Sequence, residues 1–215
     1  MQLPVYLYFI LFSLVIAVYC YHGLKFSFLK WFIPFLLITL FTELVAVYYK
    51  YVLDQPNGWL YNIYIIFQVL FSLYMYWQLK MRKPFRQVIA ACFIIYSLLS
   101  LAVYGRDGVQ SLNVYMFLTG GFFVVLSGIF FLFNYFSLDN AGEEINLIPF
   151  LWITIGVLSY FSVLSITISL YKYILMYKLA IGGVELYNLV PRLMSIILYS
   201  SFAYGFWLCR KKSLR

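Results

Sequence analysis

Charge is what this chain has least of. Only 10% of its 215 residues are charged, seven of them acidic and fifteen basic, and it has a single histidine and three cysteines. A soluble domain carries roughly 25% charged residues. So few charges cannot coat a globule in water, but they suffice for the loops of a helical bundle in lipid. One histidine excludes a multi-histidine metal site and a haem with two histidine ligands, and the place of that residue, His22, at the edge of the first apolar run argues against a Ser–His protease. No Walker-type or glycine-rich phosphate loop occurs. The reading is therefore of a non-enzyme with no cofactor and no bound metal. Cys20, Cys92 and Cys209 fall within or at the ends of apolar segments without paired spacing, and read as packing residues.

What is present is apolar: 65% of residues are hydrophobic and 23% aromatic. No linker or soluble module interrupts the apolar runs, so residues 1–215 read as one transmembrane domain. A crossing needs about 20 apolar residues. Seven candidate spans follow: Pro4–Tyr21, Trp31–Tyr49, Trp59–Leu79, Gln87–Tyr104, Asn113–Phe136, Ile148–Leu170 and Leu186–Cys209. The gaps carry turn residues, among them Asp54–Gly58, Gly105–Gly108 and Asp139–Glu144. Tyr171–Glu185 is amphipathic, and either extends the sixth helix or lies along the interface. The first run has no basic start and no small-x-small cleavage site, so it is expected to be a retained helix.

The net charge of +8 reflects threading and not nucleic acid. One set of connections holds Lys25, Lys30, Lys80, Arg82, Lys83, Arg86, Arg210, Lys211, Lys212 and Arg215; the opposite set holds Lys50, Arg106, Lys172 and Lys178. The richer side is cytoplasmic, which puts the N-terminus outside and the C-terminus inside. The acidic loop Ser137–Leu147 dissents, but acids weigh little in this rule. Trp31, Trp77, Trp152 and Trp207 then fall near the inner boundary and Trp59 near the outer one.

Short matches relate the first three helices to the last three. Leu3-x-Val5-Tyr6 pairs with Leu112-x-Val114-Tyr115, and Ile33-Pro34-Phe35-Leu36-x-Ile38-Thr39 with Ile148-Pro149-Phe150-Leu151-x-Ile153-Thr154. Leu60-Tyr61-Asn62 pairs with Leu186-Tyr187-Asn188. The order suggests duplication: repeats over 1–86 and 113–215 and a connector helix over 87–112, parallel about an axis along the membrane normal. Chance matching of Tyr-rich apolar helices is the rival explanation. A 3+1+3 layout with Pro34 and Pro149 in equivalent helices resembles transporters of the SWEET and PQ-loop type, although the Pro-Gln dipeptide is absent. Glu43 in the second helix, Tyr61-Asn62 opening the third and the run Trp152-Ile153-x-Ile155-Gly156-x-Leu158-x-Tyr160-Phe161 resemble a loosely defined group of uncharacterised bacterial seven-helix membrane proteins. Some of that group are associated with sensor histidine kinases, and the resemblance implies a bacterial inner-membrane location.

Ionisable and amide groups inside a span are costly and therefore informative. Glu43 lies about 6 residues, or ~9 Å, from the outer end of the second helix. Arg192 lies at a similar depth in the seventh, with Asn188 one turn before it. Asn62 and the deeper Gln68 enter from the same side on the third helix. One reading is an outward-open polar cavity lined by Glu43, Asn62, Gln68, Asn188 and Arg192, with Pro191 freeing backbone carbonyls. The other is a structural ion pair and packing hydrogen bonds; in a third, Arg192 snorkels to the outer interface and pairs with nothing. Three functions remain open. The first is a small-molecule-sensing or signalling accessory with a membrane or cytoplasmic partner; the second is a small-solute transporter. The third is an oligomeric pore-forming or membrane-perturbing effector of a bacterial defence system.

Overall fold

Lipid offers no hydrogen bonds, so an apolar chain satisfies its backbone by folding into helices. The computed structural model describes residues 4–24, 27–79, 81–110, 113–137, 141–182 and 184–213. They form eight α-helices: α1 (Val5–Tyr19), α2 (Phe32–Tyr51), α3 (Gly58–Gln78), α4 (Lys83–Asp107), α5 (Val114–Phe136), α6 (Ala141–Ser169), α7 (Tyr171–Met176) and α8 (Leu186–Ser213). Two-residue strands β1 (Ala180–Ile181) and β2 (Val184–Glu185) pair as an antiparallel hairpin between α7 and α8.

Among the described residues, six helical segments are long and apolar enough to cross a bilayer: Phe28–Tyr51, Gly58–Gln78, Lys83–Asp107, Val114–Phe136, Leu147–Ser169 and Leu186–Cys209. The chain is thus an all-α, multi-pass membrane protein. The first candidate span folds as a helix of only 15 residues, about 22 Å at 1.5 Å per residue.

Three expected loops are shorter than their residues suggest, one of them Gly105–Gly108, where α4 runs on to Asp107 and stops at Gly108 with φ 72°. The backbone is already helical from Ala141, although Asp139–Glu144 read as a loop; the Asp139 and Asn140 positions lie outside the described residues. Glycine costs only ~1 kcal/mol in a helix interior, so Gly142 alone does not stop α6. Likewise α4 begins at Lys83 with Pro84 in its first turn, where the missing N–H of proline has no helical partner to lose. Tyr171–Glu185 does not extend α6: the helix ends at Ser169 and α7 and the hairpin follow.

The chain divides into two compact units, Met1–Ile33 with Leu138–Arg215, and Pro34–Ser137. In the second unit, α3, α4 and α5 pack on one another. The buried face of α5 includes Met116, Gly120, Val124, Ser127 and Phe131, at the three-to-four-residue spacing of one helix face. A Cβ on Gly120 would lie 2.6 Å from Val69 Cγ2 and 2.9 Å from Tyr96 Cε2. Glycine there lets α3 and α4 side chains press directly on the α5 backbone. α4 buries only a narrow stripe, Ile89, Cys92, Tyr96 and Ser100, leaving most of its apolar surface for lipid.

In the first unit α8 packs against both α1 and α6. Small residues set the α6–α8 distance. A Cβ on Gly156 would stand 2.6 Å from Ser201 Cβ, and one on Gly205 would stand 3.0 Å from the Pro149 carbonyl oxygen. Phe32 meets Phe202 and Phe206 edge-on, at centroid distances of 5.3 and 5.4 Å. Membrane helices gain no hydrophobic drive from one another, so close backbone approach and interlocked rings supply the attraction. Pro149 and Pro191 both lie inside helices, α6 and α8.

Candidate functional site

The helical spacing of α2 lines up one face toward α3. Phe35, Thr39, Glu43 and Ala46 recur at intervals of three or four residues, and each meets a partner. Phe35 stacks on Phe71 with centroids 4.2 Å apart. Thr39 Oγ1 lies 3.0 Å from the Tyr64 hydroxyl and donates back to its own Phe35 carbonyl at 2.9 Å, leaving the Tyr64 hydroxyl to donate across the seam. The Tyr61 hydroxyl donates to Glu43 Oε2 at 3.2 Å. Asn57 Nδ2 donates to the Ala46 carbonyl at 3.1 Å, and Tyr49 meets Trp59 edge-on at 5.8 Å. The seam thus passes from stacked rings at Phe35 to hydrogen bonds at Glu43 and an aromatic pair at the loop. Glu43 is half-buried within it.

Asn62 faces elsewhere. Fully buried, it donates from Nδ2 to the Val109 carbonyl at 2.8 Å. Its Oδ1 accepts from the Asn113 backbone N–H at 2.9 Å and from the Tyr104 hydroxyl at 3.3 Å. Asn113 in turn caps α5, its Oδ1 accepting the Met116 N–H at 3.1 Å, the standard role of asparagine at that position. One amide therefore clamps the start of α3 to the α4–α5 connection. Gln68, two turns deeper, is also buried on α3, and its carbonyl accepts the Ser72 hydroxyl at 2.8 Å.

The remaining pair belongs to the other unit. Asn188 Nδ2 donates to Glu185 Oε2 at 3.3 Å in an exposed setting at the start of α8, and the Arg192 side chain is exposed. Of the five residues singled out from sequence, Glu43, Asn62 and Gln68 fall within Pro34–Ser137, while Asn188 and Arg192 fall within Leu138–Arg215. Asn62 and Asn188 occupy matching places in the Leu-Tyr-Asn segments, yet only Asn62 is a buried three-way clamp.

Several participants were not singled out from sequence. Asn134 Oδ1 accepts the Arg82 backbone N–H at 3.1 Å and so fixes the α3–α4 turn. Thr39 and Tyr64 carry no local signal beyond being polar atoms in apolar runs. The serine and threonine hydroxyls mostly bond the carbonyl four residues back, as Ser72, Ser100, Ser127, Thr167 and Ser201 do, the usual habit in membrane helices. His22 is exposed in a 3₁₀ turn over Tyr21–Gly23. Among the described residues no group of three or more His, Cys, Asp or Glu could hold a metal ion. The site offers hydrogen bonding and charge: a carboxylate on α2 with a phenol donor from α3, and an aromatic pair toward the α2–α3 loop. Compared with protein-family models, curated proteins and solved structures, the chain matches none.

Proposed function

We propose that this chain is a non-enzymatic sensor of a bacterial inner membrane that takes up a small organic cation at Glu43 and passes the resulting helix movement to a partner protein. It crosses the membrane seven times in a 3+1+3 order, with its N-terminus outside. α1, about 22 Å long, lies within the uncharged apolar run Pro4–Tyr21, which supports the seventh crossing. The asymmetry of lysine and arginine supports the orientation.

The observation that carries the reading is the placement of Glu43: a carboxylate within an apolar span, half-buried and hydrogen-bonded by Tyr61. An ionised side chain at the centre of a span costs about 2.5–3.5 kcal/mol on insertion scales, so chains keep one there chiefly for use. A carboxylate complements positive charge. The Tyr49–Trp59 pair at the loop end of the seam offers the π faces that organic cations favour. A bound cation would draw on α2 and α3 together, since both supply the site.

The test is thermal unfolding of the full chain in lipid nanodiscs titrated with choline and with spermidine. At a hundredfold excess over Kd a ligand adds about 2.7 kcal/mol to stability. The wild type is expected to stabilise with one of these cations, Glu43→Gln to lose that response, and Tyr61→Phe to bind up to about tenfold more weakly. No stabilisation of the wild type, or an equal response in Glu43→Gln, overturns the reading. Time-dependent accumulation of the labelled cation inside proteoliposomes would replace sensing by transport.

A further inference from the structure

Residues 171–185 belong to neither flanking span, yet they are apolar on their outer side. Tyr173, Leu175, Met176, Tyr177, Leu179 and Ile181 are all exposed, Met176 at 66% and Ile181 at 61%. Contiguous apolar surface of this kind is rarely left to water. The segment is also held in a defined place. α7 follows the end of α6 directly, and the Leu186 N–H at the start of α8 donates to the Leu179 carbonyl at 3.0 Å. Tyr171 meets Tyr187 edge-on at 5.7 Å, while Ile174 turns inward and is buried. α7 closes with Lys178 at φ 48°, its N–H donating to the Leu175 carbonyl at 3.2 Å and that of Leu179 to Ile174 at 3.1 Å. This left-handed stop turns the chain back toward α8. The exposed apolar residues therefore lie between the end of α6, where Ile166 and Leu170 are exposed, and the start of α8, where Leu193 is exposed.

We propose that α7 and the β1–β2 hairpin form an in-plane anchor, embedded at the boundary between headgroups and acyl chains, whose partner is phospholipid. Tyrosines and methionine suit that depth, and the exposed Lys178 suits lipid phosphate. The one acid, Glu185, is engaged by Asn188. The anchor ties the leaflet surface to the first turns of α8, just before Pro191.

The three native cysteines are buried, so the full chain carrying Met176→Cys can be labelled selectively with the environment-sensitive fluorophore NBD. Gln55→Cys, in the exposed α2–α3 loop, serves as a water-facing reference. Both are reconstituted in nanodiscs of phosphatidylethanolamine and phosphatidylglycerol. The expected result is blue-shifted emission at position 176, quenching by a lipid bearing a nitroxide near its headgroup, and an iodide quenching constant about fivefold lower than at position 55. Iodide quenching equal to that at position 55 overturns the proposal. Shielding from both iodide and the lipid quencher also overturns it, because protein would then cover the face. Ile181→Cys repeats the measurement on the hairpin should labelling at position 176 disturb α7.

Discussion

Replacing Asn62 by alanine is expected to destabilise the chain by about 2–4 kcal/mol, measured by reversible unfolding in mixed micelles. The hydrogen bonds of the amide include those to the Val109 carbonyl, the Asn113 N–H and the Tyr104 hydroxyl. Each is worth ~1 kcal/mol net, and more where the abandoned partner stays out of water. Val109, Asn113 and Tyr104 are half-buried, so water relieves part of that further loss. The effect should be local as well as global. Without the clamp, the connection from Gly108 to Asn113 loses its tie to α3, and protease cleavage there should accelerate. Asn188→Ala supplies the contrast. Its bond to Glu185 is long and exposed, and such a contact contributes well under ~1 kcal/mol. If both alanine variants behave alike, the clamp is not what holds the α4–α5 connection.

The contrast between these two asparagines shows how far the sequence could be read. Apolar run length identified the helices, because only a helix satisfies the backbone in lipid, and six long apolar helices stand where runs were expected. The helix starts at Val5 and Val114 also fall within the two Leu-x-Val-Tyr segments. Run length alone could not place the start of α6, since a helix extends past an apolar stretch when nothing breaks it, as it does back to Ala141. Polar residue type marked Glu43 and Asn62 as informative but did not say what each faces. Facing depends on the rotation of a helix about its axis. Tyr61 and Asn62 are adjacent in sequence yet point to α2 and to the α4–α5 connection respectively. Their partners, a backbone carbonyl at Val109 and a backbone N–H at Asn113, are invisible to any residue pattern.

Facing also favours the α2–α3 seam over the Asn62 clamp as the place for the proposed ligand. Asn62 is fully buried with three bonds made, so a ligand there would have to displace interactions that hold the fold. Glu43 is half-buried, and the seam beside it grades from stacked phenyl rings at Phe35 and Phe71 to hydroxyl and amide bonds nearer the loop. Hydroxyl bonds across membrane helices average only ~0.6 kcal/mol, so this end of the seam can shift at small cost. Under the proposed reading, a ligand that contacts Glu43 need favour a shifted seam by only a few kcal/mol to populate it.

The second large effect is expected at the α6–α8 contact, where Gly156→Ala should cost about 2–3 kcal/mol. The added Cβ would stand 2.6 Å from Ser201 Cβ and 2.9 Å from its Oγ. At Gly120 the corresponding clash is with Val69 Cγ2 and the Tyr96 ring edge, side-chain ends that can turn aside. A Cβ has no such freedom, because it is fixed to the backbone, so the helices themselves must separate. Separation also loosens Gly205 from Pro149 and Ile153 along the same contact, forfeiting the close packing that holds membrane helices together. Ser201→Gly removes the obstructing atom, and in the double variant most of the lost stability should return, a coupling of about 1–3 kcal/mol. Ser201 Oγ bonds only its own helix, at the Ile197 carbonyl, so Ser201→Gly by itself should cost no more than the ~1 kcal/mol glycine penalty. Additive losses in the double variant would mean that Gly156 serves the flexibility of α6 and not its approach to α8.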